Sequence, residues 1–277
     1  VKQPKVENKI VLISGGTSGV GKAAAISLAK AGAEVIILGH RQSRADAAVA
    51  EIQRRSNNPL IWAELCDLTL HSDIKALHER LIDQNIRLDA LINAAGGVTL
   101  PQTPTAEGVN TSYALNYAAT YWLTTELHDR LRKGARVLNV LGLALVAKNQ
   151  PVLIPDDPSC AGLNGSQVID AAFSNKMLFT QALAGRYKRD GITINCFNPG
   201  LIRTGMGTDA SAMAKTLRGL YNVPAKSESK LVAKLALDPR YTQTGILYNV
   251  WGHPVKMPEA HYTVQKRRDL LAFSETL

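Results

Sequence analysis

The sequence predicts an α/β fold: one doubly wound domain, with a parallel sheet of about seven strands flanked by helices. Three observations carry this prediction. Short apolar runs alternate with longer helical stretches. A glycine-rich turn joins the first apolar run to the first helical stretch. The 277 residues are enough for one large core, and no repeat or linker divides them.

The elements follow in order. Lys9–Ser14 reads as a buried strand, and Gly21–Ala31, rich in Ala and Leu, as a helix. Glu34–Leu38 is a second strand, and Ala45–Arg55 carries a helical pattern. Leu60–Leu65, Ala90–Asn93, Arg136–Leu141 and Thr193–Phe197 continue the strand series. Helical stretches near His71–Gln84, Tyr113–Leu131 and Val168–Lys188 lie between them. This alternation implies right-handed βαβ units. Two stretches break the rhythm: Lys148–Gly165, with three prolines and the pair Asp156-Asp157, and Arg203–Pro224. In a doubly wound sheet, segments that follow strand ends border the ligand crevice, so 148–165 and 203–224 are expected to be substrate-side loops.

Composition narrows the function. The 32 basic residues exceed the 23 acidic ones, for a net charge of +9. They are scattered, with short clusters at Arg130–Lys133 and Lys266–Arg268, and no basic run is interleaved with aromatics. This reads as solvated surface plus attraction for an anionic cofactor, with no nucleic acid expected. The best apolar stretch, Val137–Ala147, is too short to span a bilayer and contains Asn139. Val-Lys-Gln-Pro-Lys at the start lacks an apolar signal core. Cys66, Cys160 and Cys196 are far apart with no CxxC, so neither a disulfide framework nor a zinc site is expected, and a cytoplasmic setting is the expectation.

The run Ser14-Gly15-Gly16-Thr17-Ser18-Gly19-Val20-Gly21 lies between the first strand and the first helix. Glycines allow a tight turn and bring backbone N–H groups close to a diphosphate. The helix N-terminus adds its dipole and free donors. The G-x-x-x-G-x-G spacing resembles the short-chain dehydrogenase/reductase family, with Ser14 where that family usually has Thr. Further motifs follow in the family's order. Cys66-Asp67-Leu68 resembles the acidic position at the adenine. Asn93-Ala94-Ala95-Gly96 resembles the N-x-A-G motif beside the cofactor. Asn116 falls at the family's helical active-site Asn. Asn198-Pro199-Gly200, with Ile202 and Thr204, resembles the segment at the nicotinamide carboxamide. The resemblance covers roughly Lys9 to Gly252, is closest to the retinol-dehydrogenase-like branch, and implies a Rossmann-type domain.

An acidic residue at the end of the second strand would bind the ribose hydroxyls of NAD. Here that strand leads into Gly39-His40-Arg41, with Arg44 nearby and no carboxylate. Arg41 can pair with a 2′-phosphate, so NADP(H) is the expected cofactor, and the resemblance agrees.

The resemblance also implies a Tyr and a Lys four residues apart on one helix, together with a Ser. No Y-x-x-x-K occurs in the chain. Counting back from Gly191 and Asn195 puts Phe173 at the Lys position and Ile169 at the Tyr position; Gly142 falls where the Ser belongs. Asn116 alone remains of the tetrad. Losing these groups removes general acid catalysis and oxyanion stabilisation, each worth about two to four decades of rate. Candidates to substitute are Lys176, whose side chain leans toward the helix N-terminus, and Asp170. Tyr113, Tyr117 and Tyr121 recur every four residues around Asn116. Lys148, Asn149, Asp156, Asp157 and Ser166 lie in or beside the long insertion, and Trp251 and His253 stand where they can cap the pocket.

Three functions are therefore weighed. The first is an NADP(H)-binding enzyme acting on an apolar small molecule of specialised metabolism by non-redox cyclisation, isomerisation or rearrangement. The second is an NADPH-dependent reductase of an activated imine or conjugated substrate. The third is a non-catalytic nucleotide-binding module. No metal is expected. By analogy with the family, a homodimer or homotetramer would pair through the helices at Tyr113–Leu131 and Val168–Lys188.

Overall fold

Strands buried on both faces need near-continuous apolar runs, and the first strands have them. β1 (Ile10–Ser14), β2 (Glu34–Gly39) and β4 (Leu88–Asn93) are buried along almost their whole length. The computed structural model describes residues 8–97, 101–142, 151–200 and 228–277. With β3 (Ile61–Leu65), β5 (Leu131–Val140), β6 (Thr193–Phe197), β7 (Leu247–Tyr248) and β8 (Pro254–Val255), these strands form an eight-stranded sheet. Its order is β3-β2-β1-β4-β5-β6-β7-β8, and every pairing is parallel except β7 with β8.

Two apolar cores sandwich the sheet. One face is covered by α1 (Gly19–Lys30), α2 (Gln42–Ser56) and α7 (Lys230–Leu237). The other is covered by α3 (His71–Asp83), α4 (Thr111–Tyr113), α5 (Ala119–Glu126), α6 (Gly165–Arg189) and α8 (Val264–Ser274). Between α4 and α5 the helix widens into a π turn, Ala114–Ala118. The strand order reverses between β1 and β4, so the crevice opens above Ser14 and Asn93, which are paired in register.

The structure departs from the sequence expectation at the edges. The sheet has eight strands, and β7 and β8, with two residues each, carry no readable alternation. The helical stretch expected near Tyr113–Leu131 is α-helix to Glu126 and a 3-10 turn over His128–Arg130, and β5 begins at Leu131, which pairs with Leu88 across a bulge. Helices α7 and α8 add to those the sequence pattern predicts. Among the described residues no helix is long and apolar enough to cross a membrane.

The described part of the proline-rich insertion is fastened down. The carboxylate of Asp157 accepts from the backbone N–H and the hydroxyl of Ser159. Lys266 of α8 donates to the Val152 carbonyl at 3.2 Å, and the Asn110 N–H donates to the Pro158 carbonyl at 2.9 Å. Asp157 is thus a turn-forming residue. Helix α8 lies across α6, and Tyr113 and Tyr117 on the adjoining helical segment touch it as well. These are the helices through which the resemblance offered pairing, and α8 occupies part of their outer face.

Candidate functional site

The crevice is built from glycines that side chains cannot replace. Gly15 has φ +67°, and a Cβ there would come within 2.8 Å of the Ala95 backbone. At Gly21 a Cβ would lie 2.3 Å from the Gly15 carbonyl oxygen, so α1 packs directly against the turn that precedes it. Ser18, the N-cap of α1, is extended and makes no side-chain cap. The N–H groups of the first turn, around Gly19 and Val20, are therefore left for an anion. A cavity of about 540 Å³ runs from Thr17 and Ser18 past Ala94 and Gly96 to Lys22 and Arg44.

His40 and Arg41 are exposed where β2 passes into α2, and Arg44 is exposed one turn further on. Glu51 on the same cavity wall is already held by Lys22 at 2.7 Å and Arg55 at 3.3 Å. The Lys22 hydrogen bond keeps the Glu51 carboxyl below its ordinary range. Arg41 and Arg44 make no ion pair among the described residues. Glycine turn, uncapped helix start and cavity together fit a dinucleotide, with the exposed arginines at its edge. Lys22 was missed in the sequence, where nothing distinguishes it from an ordinary helix lysine.

Ser14 and Asn93 act behind the crevice. The Ser14 hydroxyl accepts from the N–H groups of Ala94 and Ala95 at 3.1 and 3.2 Å, fixing the chain that leaves β4. The Asn93 side chain is turned into the core, where it donates to Thr124 at 3.1 Å and to Asn139 at 2.8 Å. Asn139 continues this buried chain to Thr180 at 2.9 Å. Both residues thus hold the floor of the site. Asp67 closes a turn through Thr69, whose N–H and hydroxyl reach one carboxylate oxygen, and neighbouring Leu68 is buried. Gly200 has φ +72°, and its N–H donates to Asn198 at 2.9 Å; Pro199 beside it is half-buried. Ile202, Thr204, Lys148, Asn149 and the loop 203–224 lie outside the described residues.

Asn116 sits in the π turn and is fully buried. Its Oδ1 accepts from the Gly97 N–H at 3.0 Å, and its Nδ2 donates to the carbonyls of Gly97 and Ser112, each at 2.9 Å. Both amide protons are used, so this side chain clamps the Gly96–Gly97 turn. A Cβ at Gly96 would come within 2.6 Å of the Asn116 Oδ1.

Ile169 and Phe173 lie near the start of α6, each 8 % exposed, and neither supplies a hydroxyl or an ammonium. Gly142 is exposed, with nothing within 4 Å of where its Cβ would stand. Lys176, one turn beyond Phe173, is 1 % exposed. Its Nζ donates to the Val140 carbonyl at 3.4 Å and stands 5.9 Å from the Phe173 ring centroid. Burial pushes its ammonium down to about 8. Asp170 is half-buried, and burial raises its carboxyl above the ordinary range.

Tyr113 and Tyr117 are core, and Tyr121 is half-buried. Tyr113 accepts from the Asn175 amide at 2.9 Å, and the Tyr117 hydroxyl lies 2.6 Å from that of Ser274. Burial pushes both phenols up. Ser166 and His253 are exposed, and Trp251 is 69 % exposed, so the indole is not core packing.

Comparison with known proteins adds the decisive observation. Residues 9–150, more than half of the chain, match the family described as short chain dehydrogenase. The chain belongs to the short-chain dehydrogenase family. Among its relatives, retinol dehydrogenase 13 of Mus musculus is 30 % identical over 207 residues, which cover 73 % of this chain and 61 % of the relative. The chain thus spans less than two thirds of that relative's length. Two solved structures share the short-chain dehydrogenase fold at a TM-score of 0.70. One is a short-chain type dehydrogenase/reductase from Mycobacterium ulcerans, at 21 % identity and 89 % coverage of both chains. The other is a blue fluorescent protein from a metagenomic library in complex with NADPH, at 24 % identity, covering 90 % of this chain and 98 % of that one.

Proposed function

We propose that this short-chain dehydrogenase binds NADP(H) and acts on an apolar small molecule of specialised metabolism by cyclisation, isomerisation or rearrangement, with little ordinary ketone reduction. The observation that carries this reading is a contrast within one crevice. Its glycine turn, its helix start and Arg41 retain what a dinucleotide needs. The positions of the proton donor, its lysine partner and the polarising hydroxyl hold Ile169, Phe173 and Gly142. NADPH in the metagenomic relative supports the choice of nucleotide.

When bound, the cofactor supplies a hydride donor or acceptor. Thr17 to Val20 would hold its diphosphate, and Arg41 with Arg44 its 2′-phosphate. Ile169 and Phe173 offer an apolar wall, which orients a substrate by shape and excludes water. A second reading is reduction of an imine or conjugated carbonyl, which needs little acid assistance; the dehydrogenase names of the relatives favour it. One assay separates the two. Terpenoid and polyketide carbonyl compounds and imines are incubated with enzyme and NADPH, with absorbance at the nicotinamide band and product mass followed together. Product isomeric with substrate, with no NADPH consumed, supports the first reading. Stoichiometric NADPH loss overturns it in favour of the second. Nucleotide binding with no product from any compound favours a non-catalytic module.

A further inference from the structure

Among the described residues of the crevice region, Lys176 stands out as one whose presence the fold does not explain. Burying an ammonium is costly, and buried lysines are ordinarily compensated by a carboxylate. Among the described residues Lys176 makes no ion pair. Its partners are a single carbonyl, Val140, at 3.4 Å and the face of Phe173, with the buried thiol of Cys196 nearby. That thiol is itself pushed up to about 12 by burial and stays neutral. A methionine would fill the same space without the desolvation cost. The placement of the amine is also directed. Its Cα lies one turn deeper along α6 than Phe173, and helical side chains lean toward the helix N-terminus, here the crevice end. The Nζ therefore rises to Val140, the last residue of β5, two residues before Gly142, where the space is open. Among the described residues the Phe173 ring, itself 8 % exposed, lies beside this amine.

We propose that Lys176 captures carbonyl compounds covalently: its amine condenses with the carbonyl carbon of an apolar aldehyde or ketone held against Phe173, forming an imine. The nitrogen lone pair adds to the carbonyl carbon. The carbon–oxygen bond then breaks, and the oxygen leaves as water with the two protons the amine carried. No oxidant or reductant is needed. One further proton on the imine nitrogen gives an iminium, which acidifies the neighbouring C–H. Loss of that proton and its return at another carbon moves a double bond, or closes a ring if an internal electrophile is in reach. Water then adds to the iminium and releases product and amine. An amine in an apolar pocket is suited to this chemistry because its neutral, nucleophilic form is favoured there. The proposal rests on the reading that the crevice takes an apolar carbonyl compound and rearranges it without net hydride transfer.

The test is reductive trapping. The full chain is incubated at pH 8 with decanal and sodium cyanoborohydride, and the decylated lysines are mapped by peptide mass spectrometry over time. Exposed Lys75 and Lys256 serve as internal references. Lys176 is expected to label about ten-fold faster than either, since its neutral fraction is larger. Phe173→Ala should accelerate labelling at Lys176 and leave Lys75 unchanged. Labelling of Lys176 no faster than Lys75, or labelling confined to the Phe173→Ala variant, overturns the proposal. Lys176→Met and Lys176→Arg keep the site filled and cannot form the imine. If either rearranges a substrate as fast as the parent, the amine assignment fails while the functional reading stands. If Lys176 traps decanal selectively but every rearrangement assay consumes NADPH, the functional reading fails and the amine assignment stands.

Discussion

The hydroxyls of Tyr117 and Ser274 lie 2.6 Å apart, both fully buried, and tie the C-terminal helix α8 to the π turn that carries Asn116. Ser274 also donates to the Leu270 carbonyl at 2.7 Å, so it can serve as acceptor toward the tyrosine. Removing one partner has unequal effects. Ser274→Ala leaves the phenol buried without a partner and should cost about 1–3 kcal/mol, whereas Tyr117→Phe should cost about 1 kcal/mol. Urea denaturation of both single variants and the double variant checks this. Costs that add fully in the double variant would mean the two hydroxyls are not coupled.

The same helix bears on assembly. Pairing through the helical surfaces around Tyr121 and α6 would have to leave room for α8, which packs on α6 and on Tyr113 and Tyr117. The expected state at micromolar concentration is a monomer by sedimentation velocity. A dimer whose hydrogen-exchange footprint falls on α5 and α6 would refute this.

Arg41 should choose the nucleotide. It is exposed at the start of α2 with no competing carboxylate on the end of β2. Arg41→Ala should lose about 1.5–3 kcal/mol of NADPH affinity, the range for hydrogen bonds to charged groups, and leave NADH affinity nearly unchanged. Calorimetric titration with both nucleotides decides it, and equal loss for both would reject a 2′-phosphate contact.

Lys176 makes stability depend on pH in a defined direction. Its folded-state value, about 8, lies below the ordinary 10.5, so near neutral pH the folded chain carries a penalty on the order of 3 kcal/mol. Between those two values the unfolded chain still binds the proton and the folded chain has released it, so stability rises with pH across that window. Lys176→Met should be more stable than the parent at pH 7, and the difference should shrink as pH climbs from 8 to 10. A constant difference across that range would mean the amine titrates normally.

Rebuilding the missing pair must reckon with Lys176. Phe173→Lys alone would set a second ammonium close to the one now 5.9 Å from the ring. Ile169→Tyr with Phe173→Lys should raise any ketone reduction more than either change, and adding Lys176→Met should raise it again by relieving the repulsion. Melting curves should accompany the kinetics. If the parent protein already reduces plain ketones at about 10 per second, an ordinary enzyme rate, another group donates the proton.

Much of this architecture can be read from local pattern. The β1 run and the glycines after it specify strand, turn and helix because burial on both faces and close backbone approach each restrict residue type. The expected loss of the catalytic pair rests likewise on residue type, on Ile169 and Phe173 at counted positions. Direction is harder. Nothing in Asn93 or Ser14 says that their side chains face the core rather than the crevice; the paired register of β1 and β4 decides it. The tyrosine spacing reads as core, and Tyr113 and Tyr117 are core, but the π turn widens the repeat, so after Tyr117 the fully buried ring is Trp122, with Tyr121 half-buried. Strands of two residues, and a lysine that becomes fully enclosed, depend on contacts far away in the chain.

Burial of the three cysteines has a practical consequence. Cys66 and Cys160 are 3 % exposed and Cys196 is fully enclosed, and burial pushes each thiol up to about 12. At neutral pH the native chain should be silent to maleimides and to thiol–disulfide exchange. A single cysteine substituted at exposed Trp251 would then be the sole reactive thiol, so a fluorophore or spin label could be placed there without first stripping the protein of its own sulfur.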